Sequence, residues 1–352
     1  MPQVSHEKLQ KISAALLRAG GCDADEAKLV ADNLVEANLK GHDSHGLTNL
    51  PGYVRRLIKG ETVPNQKARV VKDDGPFLVI DGGRGLGQSV TRQAMALAIE
   101  KTRVHGVAIT GVRNSCHMGR IGHYGEQCAK AGFASLHFVN VSGHPAYVAP
   151  SAAREPRFST NPFCFAVPAA ARNPAVILDC ATSQVAWGKL KVAFNKREQV
   201  ADGLLLDPNG KPTRDPSVMV PDPLGAMVVF GGHKGSGIAL MCDLLGAALT
   251  GGDTIQPGNA RDGVAINNML SIVIDPTRLT DRNRIVSEFD AMIDYVRSAA
   301  PLDPDQPVMV AGDPERRAMA QRLKSGIVVD DQTWHDMAAV GRELGLDPRQ
   351  WN

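Results

Sequence analysis

GVRNSCHMGRIGHYGE, residues Gly111–Glu126, is the stretch on which the reading of the whole chain turns. Just upstream, Val107–Val112 (VAITGV) has the apolar run of a buried β-strand, and downstream Gly125–Lys130 leads into a helix that Gly132 ends. Glycine at such a junction gives up backbone entropy and packing that alanine would keep. Its repeated use therefore points to close approach of a ligand or a second backbone. His117 is placed at the mouth of a strand, beside a helix start able to hold an anion or polarise a ligand. The plainer alternative is that Gly119 and Gly122 merely fit a tight turn.

Working outward, the chain of 352 residues is 43% hydrophobic, enough for a large core in two domains or one elaborated domain. Its 39 Lys and Arg against 37 Asp and Glu leave a formal charge of +2, and the basic residues are scattered. Nucleic acid and anionic membrane are poor partners for such a surface. No apolar run reaches the roughly 18 residues of a membrane span, and Met1–Gln10 carries no signal-peptide core. The six cysteines lack any Cys-x-x-Cys pair, which favours reduced thiols in the cytoplasm over a disulfide framework or zinc cage.

Before residue 60 the periodicity is helical: Ser5–Ala19, then Asp23 with Glu26 as a capping box for a helix to Leu39, then Leu50–Lys59. Val70–Val71 and Phe77–Ile80 bracket a hairpin turn at Asp74-Gly75. The glycines of Asp81–Gly87 offer no register of Gly-x-Gly-x-x-Gly, so a close-packed turn is expected there instead of a dinucleotide fingerprint. A helix then covers Gln88–Arg103, and strands are expected at Ala134–Asn140, Phe163–Val167, Val176–Leu178, Met227–Phe230 and Met269–Ile274. Val141–Pro150 reads as a loop, and Lys189–Asp222, rich in turn formers such as Asp207-Pro208-Asn209-Gly210 and Asp222-Pro223, as an excursion over the surface. A strongly amphipathic helix is expected from His233 through Leu249, and helices at Ile285–Val296, Asp313–Leu323 and Asp331–Leu344. The ends are thus helical and the middle mixed: a helical lobe from 1–72 with 284–352, around an α/β lobe at 73–283.

Four polar clusters stand at element ends, where side chains are rigidly held yet open to a cleft: His42–Gly46, His117–Tyr124, Asp179–Ser183 and His233–Gly237. A histidine beside a carboxylate is a tuned acid or base, and His117 or His45 with Asp179 is one such pairing. A rival is a metal site built from His42 and His45 with Asp43, His117 or Asp179, as in a hydrolase or lyase. Ser44 lacks a nucleophile elbow. A binding protein without catalysis needs no pair of histidines near carboxylates. His105 and His137 read as surface or structural residues. The glycines, His233 and Lys234 at a helix start suit a phosphate or carboxylate.

GHDSHGL at 41–47, HMGRIGHYGE at 117–126, STNPFCFAVP at 159–168, LDCATS at 178–183 and GHKGSGIAL at 232–240 together resemble the type 2 malate/L-lactate dehydrogenase family. The matches keep the family's order over nearly the whole chain, and they look closest to its bacterial hydroxycarboxylate dehydrogenase branch. The resemblance implies a non-Rossmann fold, with a central mixed-sheet cofactor domain and a helical domain, for substrate and dimer contact, made from both chain ends. It implies NAD or NADP as cofactor, no metal, a 2-hydroxy acid exchanged with its 2-oxo acid, and a homodimer whose partner completes the cleft. A cyclic imino-acid reductase is the second activity the family suggests.

Carried over by motif, the resemblance makes His117 the acid/base, Ser44 and His45 contacts to the substrate oxygen, and Asp179 a group that orients a histidine or borders the nicotinamide. Asn49, Arg120, Asn140 and Ser142 are implied for the substrate. Thr160, Asn161, Pro162, Asp179, Ala181, Thr182, Ser183, His233, Lys234, Gly235, Gly312 and Asp313 are implied for the dinucleotide. One departure stands out. Many members carry an arginine where this chain has Asn49, and a neutral amide cannot replace a charged bidentate fork on a carboxylate.

Overall fold

The computed structural model describes residues 1–220 and 224–351, so the Asp222-Pro223 turn lies outside the described residues. Helices α1 (His6–Ala19), α2 (Ala24–Leu39) and α3 (Leu50–Ile58) follow the periodicity closely. Each start has a chemical cause. Ser5 caps α1 by accepting from the Lys8 amide, and Asp23 caps α2 by accepting from the Glu26 amide at 2.8 Å. Glu26 does not complete the capping box; its carboxylate accepts from the Asn65 amide instead. Leu9, Leu16, Leu34, Leu50 and Val54 form the buried heart of this lobe.

The second lobe is a seven-stranded mixed sheet. Its strands are β1 (Arg69–Asp74), β2 (Phe77–Asp81), β3 (Val107–Cys116), β4 (Ala134–Ser142), β5 (Phe163–Val167), β6 (Val176–Cys180) and β7 (Ile266–Ile274), in the order β1-β2-β3-β7-β4-β5-β6. β2 and β3 run parallel because α4 (Gly87–His105) crosses between them; the other pairs are antiparallel. Met95, Val112, Tyr124, Val139 and Val273 pack the core between this sheet, α4 and α5 (Gly122–Lys130). β7 slips register against β3 between Asn267 and Met269, a bulge that frees two asparagine side chains for the site below.

His137, fully buried on β4, touches Ser271 Oγ at 2.7 Å and Ser135 Oγ at 3.0 Å. Burial pushes its imidazole down to about 3, and it is structural as expected. His105 is exposed at the end of α4.

Two expectations fail in the middle of the chain. Lys189–Asp222 is not a surface excursion. After helix α6 (Trp187–Lys196), Leu205–Leu206 and Pro212–Thr213 join Ala226–Val228 and Val148–Ala149 in a four-stranded sheet with its own core of Val148, Leu190, Leu205, Met219 and Met227. Strands of two or three residues are too short to show a period, so only their turns were visible in sequence. Val148–Ala149 likewise lies within the stretch expected to be a loop.

The helix after residue 232 also differs. α7 (His233–Met241) passes into a π-helical turn at Cys242–Ala247 and a 3-10 turn at Ala248–Thr250, and it is not cleanly amphipathic, since Leu240, Met241, Leu244 and Leu249 are exposed. Asp243, buried in the π turn, accepts from Asn140 Nδ2 at 3.1 Å and Asn161 Nδ2 at 2.6 Å and so ties the turn to the sheet.

Helices α8 (Arg282–Arg297), α9 (Asp313–Ser325) and α10 (Asp331–Glu343) return the chain to its start. α10 supplies Met337 and Val340 to the helical core, and Ile327–Val328 pairs with Gln3–Val4. α8 lies elsewhere: its buried Asp290 accepts from the backbone amides of Ala171, Arg172 and Asn173 in the β5–β6 turn. Among the described residues no helix is long and apolar enough to cross a membrane.

Candidate active site

The His42–Asn49 segment leaves α2 through Gly41, whose φ of +83° lets the His42 amide reach back to the Ala37 carbonyl at 2.9 Å. Asn38 then organises the turn, donating to Asp43 Oδ1 at 2.6 Å and accepting from the Leu47 amide at 2.8 Å. Gly46 lies so close to Asn38 that a Cβ would fall 2.0 Å from its Oδ1. Two members of the motif turn away from the cleft: His42 Nε2 meets Glu315 at 3.0 Å, and Asp43 pairs with Arg322 at 2.6 Å. Ser44 and His45 face inward, with Ser44 Oγ 3.2 Å from His45 Nδ1. The metal site built on His42, His45 and Asp43 therefore does not assemble.

His117 follows directly on β3. Its ring stacks on His45 with centroids 5.9 Å apart and 18° between planes. Its Nδ1 bonds the Tyr53 hydroxyl, which accepts in turn from Gln88 Nε2 at 3.1 Å. The backbone is gripped on both sides. Met118 donates to Asn267 Oδ1 at 2.8 Å, and Cys116 donates to the Gly85 carbonyl at 3.0 Å. Burial pushes His117 down to about 3 and His45 down to about 4, and the charges of Arg56 near His117 and of Arg120 near His45 add to it. Both rings are neutral at pH 7.

Asp179, at the end of β6, pairs with neither histidine. Its Oδ2 accepts from the Gly122 amide at 2.7 Å and so caps the start of α5. Burial pushes its carboxyl up, against the pull of Arg120. Arg120, 3% exposed, bonds Glu126 at 2.7 Å. Glu126 shares Lys40 with Glu36, and His123 sits 3.0 Å from Glu36. Glu36, His123 and Glu126 converge as ligands of a metal can, yet Lys40 and Arg120 already neutralise them.

The remaining expected residues divide. Asn49 donates to the Ser44 carbonyl at 2.8 Å, bracing the Ser44–His45 turn. Asn140 is a correction: its amide gives both donors to Asp243 and the Asp253 carbonyl and accepts from the Asn268 amide and side chain, leaving nothing for a substrate. Ser142 is buried opposite Ile266. Asn161 accepts from the Val141 amide and donates to the Ala239 carbonyl and Asp243, so its side chain ties the loop to α7 and the π turn. Thr160 accepts through its carbonyl from Thr182, and Pro162 from Val139.

Ala181 is half-buried between β6 and the Ser183–Val229 bridge, with Ser183 Oγ donating to Val185. His233 and Lys234 are exposed at the start of α7 beside buried Gly235. Gly312, at φ +95°, turns the chain into α9, but Asp313 is clamped by Arg297 and Arg316 at 2.7 and 2.6 Å.

The small-sheet region meets the histidine motif through α6. Gly188 of α6 lies over Ser44, where an added Cβ would be 2.6 Å from Ser44 Cβ. His144, Tyr147 and Trp187 stack in series at 4.8 Å each. Sequence reasoning missed Tyr53, Gln88, Asn267 and this aromatic wall. Tyr53 reads as one more apolar position of α3, and only its distant partner shows its polar use.

A stacked histidine pair at the end of a strand, on a mixed sheet without a Rossmann fingerprint, marks a non-Rossmann α/β protein. Residues 4–338 match the family described as malate/L-lactate dehydrogenase, and the chain belongs to that family. Hydroxycarboxylate dehydrogenase B of Escherichia coli strain K12 is 42% identical over 342 residues, covering 97% of this chain and 94% of that protein. The delta(1)-pyrroline-2-carboxylate/delta(1)-piperideine-2-carboxylate reductase of Pseudomonas putida is 34% identical over 250 residues, 71% of this chain and 72% of its own. The solved structure of sulfolactate dehydrogenase from Methanocaldococcus jannaschii superposes with a TM-score of 0.87 at 29% identity, covering 99% of each chain. The protein is an oxidoreductase of the 2-hydroxy acid dehydrogenase type.

Proposed function

We propose that the chain interconverts a 2-hydroxy acid and its 2-oxo acid with NAD or NADP, and that His117 moves the proton. The observation that carries this reading is the stacked, neutral His45–His117 pair with Tyr53 on Nδ1 of His117. With Nδ1 engaged, Nε2 of His117 is the nitrogen left for substrate, and as a neutral base it takes the hydroxyl proton during oxidation. Ser44 and His45 steer the same oxygen. Tyr147, Trp187 and Gly188 shield the site from water.

A dinucleotide fits the start of α7. Gly231 and Gly232, at φ +56° and +59°, form a turn that no side chain caps, and a Cβ at either would find no atom closer than 3.8 Å. The positive end of α7 with exposed His233 and Lys234 suits a pyrophosphate, and Thr182–Ser183 with Asp179 border the path toward His117. When bound, the nicotinamide supplies the site that gives or accepts hydride.

The test is a panel of 2-oxo acids with NADH and with NADPH, followed by nicotinamide absorbance. No turnover with either cofactor rejects the reading. The likeness to the P. putida reductase favours a second reading, reduction of a cyclic imino acid, and a parallel imine panel separates the two.

We further propose that 1–72 with 284–352 serve substrate and subunit contact while 73–283 hold the dinucleotide, and that the protein is a cytoplasmic homodimer. Its six cysteines are all free, as a reducing compartment keeps them. Leu240, Met241, Leu244 and Leu249 form an exposed apolar stripe, as do Met292 and Tyr295 on α8. A monomer mass by light scattering defeats the dimer.

A further inference from the structure

Asn49 leaves the cleft without the cation expected at its position, and the same helix offers another. Asn49, Tyr53 and Arg56 fall at i, i+4 and i+7, on one face of the turn leading into α3 and of α3 itself. Tyr53 on that face bonds His117. The Arg56 carbonyl accepts from the Thr62 amide at 3.2 Å, and Thr62 Oγ1 lies 3.4 Å from Sγ of Cys116, the residue before His117. The Arg56 backbone is thus tied, through Thr62, to the residue before His117.

Arg56 is half-buried as a residue, and among the described residues its side chain makes no hydrogen bond or ion pair. Other arginines are engaged. Arg55 faces Glu343, Arg84 pairs with Asp262, Arg120 with Glu126, and Arg261 donates to the Ile255 carbonyl. The charge of Arg56 is felt at His117, Tyr53, His144 and Tyr147, groups from three separate segments around one cleft. A partly desolvated cation without a counter-ion is unfavourable unless an anion completes it. A planar guanidinium fork left unpaired is suited to a carboxylate.

We propose that Arg56 is the substrate-carboxylate anchor of this enzyme, standing two helical turns beyond the position that Asn49 leaves neutral. The assignment rests on the 2-hydroxy acid reading above. Its consequence is that the carboxylate enters from the α3 side, so that the carbonyl carbon lies between Arg56 and the His45–His117 pair.

The experiment compares wild type, Arg56→Gln and Arg56→Lys on a 2-oxo acid and on its methyl ester. Loss of a charge-assisted fork predicts that Arg56→Gln raises KM for the acid by about 10- to 100-fold while KM for the ester stays put. kcat changes less than KM, NAD(P)H affinity is unchanged, and Arg56→Lys recovers part of the loss. An unchanged preference for acid over ester in Arg56→Gln overturns the proposal.

A second measurement needs no variant. Wild-type protein is labelled at arginine with phenylglyoxal, with and without oxalate as the carboxylate probe, and the adducts are mapped by mass spectrometry. Protection at Arg56 is expected; protection at other arginines only, or at none, overturns the assignment. If wild type turns over no 2-oxo acid, the dehydrogenase reading fails, and the labelling map still decides on Arg56.

Discussion

Replacing His117 with asparagine is expected to lower kcat by about 10²–10⁴-fold, the usual contribution of a positioned acid/base, with NAD(P)H affinity nearly unchanged. Asparagine keeps approximate size and a hydrogen bond to Tyr53 but cannot titrate. His45→Asn is expected to raise KM as well as lower kcat, because His45 shares its Nδ1 with Ser44 and presents its ring to the same space. Full kcat in His117→Asn, with loss confined to His45→Asn, transfers the proton to His45 and reduces His117 to a positioning group.

The pH dependence of the wild type carries a definite sign. With the rings held down to about 3 and about 4, both are bases across the neutral range. Oxidation is then flat near neutrality and fails only well below the ordinary histidine value of about 6.5. Reduction needs the proton on the ring, so its kcat/KM falls as pH rises; His117→Asn removes that slope. Stability follows the same asymmetry. Between about 6.5 and about 3 the unfolded chain binds protons that the folded site refuses, so stability is lost as pH falls through this window. His117→Asn, lacking the penalty, loses less stability on acidification than wild type, as chemical denaturation at pH 7 and pH 5 measures.

Much of the scaffold was legible because its signals are local. Asp23 before α2, Gly132 closing α5 at φ +89°, and the hairpin at Asp74-Gly75 each act within a few residues. The turn at Asp81–Gly87 was also legible, since the spacing of its glycines ruled out one purpose and left close packing as the other. The polar wiring of the site was not. Asn267 and Asn268 act on residues 114–118 only because a bulge in β7 turns them there, and Asn140 and Asn161 are consumed by Asp243, about a hundred residues away in the first case. Nothing within ten residues of any of these side chains says whether it faces a ligand or a neighbour. The pairing of Asp179 with a histidine failed for the same reason: Gly122 brought an amide within reach, and a helix start competes well for a carboxylate.

Gly87→Ala tests how tightly that wiring holds His117. Gly87 opens α4, and a Cβ there would lie 2.3 Å from the Cys116 carbonyl oxygen and 2.5 Å from that of His117. Both atoms are backbone, with little freedom to yield: Cys116 is bonded to Gly85, and Met118 to Asn267. The strain has two outlets. Either α4 is pushed off the sheet, where Val90, Ala94 and Met95 are fully buried, or the Cys116–His117 peptide shifts. The first predicts a loss of stability toward the upper end of overpacking, about 3 kcal/mol. The second predicts a fall in kcat of about 10²-fold from sub-ångström to ångström misplacement of the imidazole. Gly52→Ala, on the exposed side of α3 with no atom within 4 Å of the new Cβ, is the matched control and is expected to keep both stability and kcat. Thermal melts and initial rates on the two variants read the outlets separately. A Gly87→Ala protein with the melting temperature and kcat of Gly52→Ala would mean that the segment carrying His117 relaxes freely, and that its hydrogen bonds to Gly85, Asn267 and Tyr53 do not fix the imidazole against the substrate.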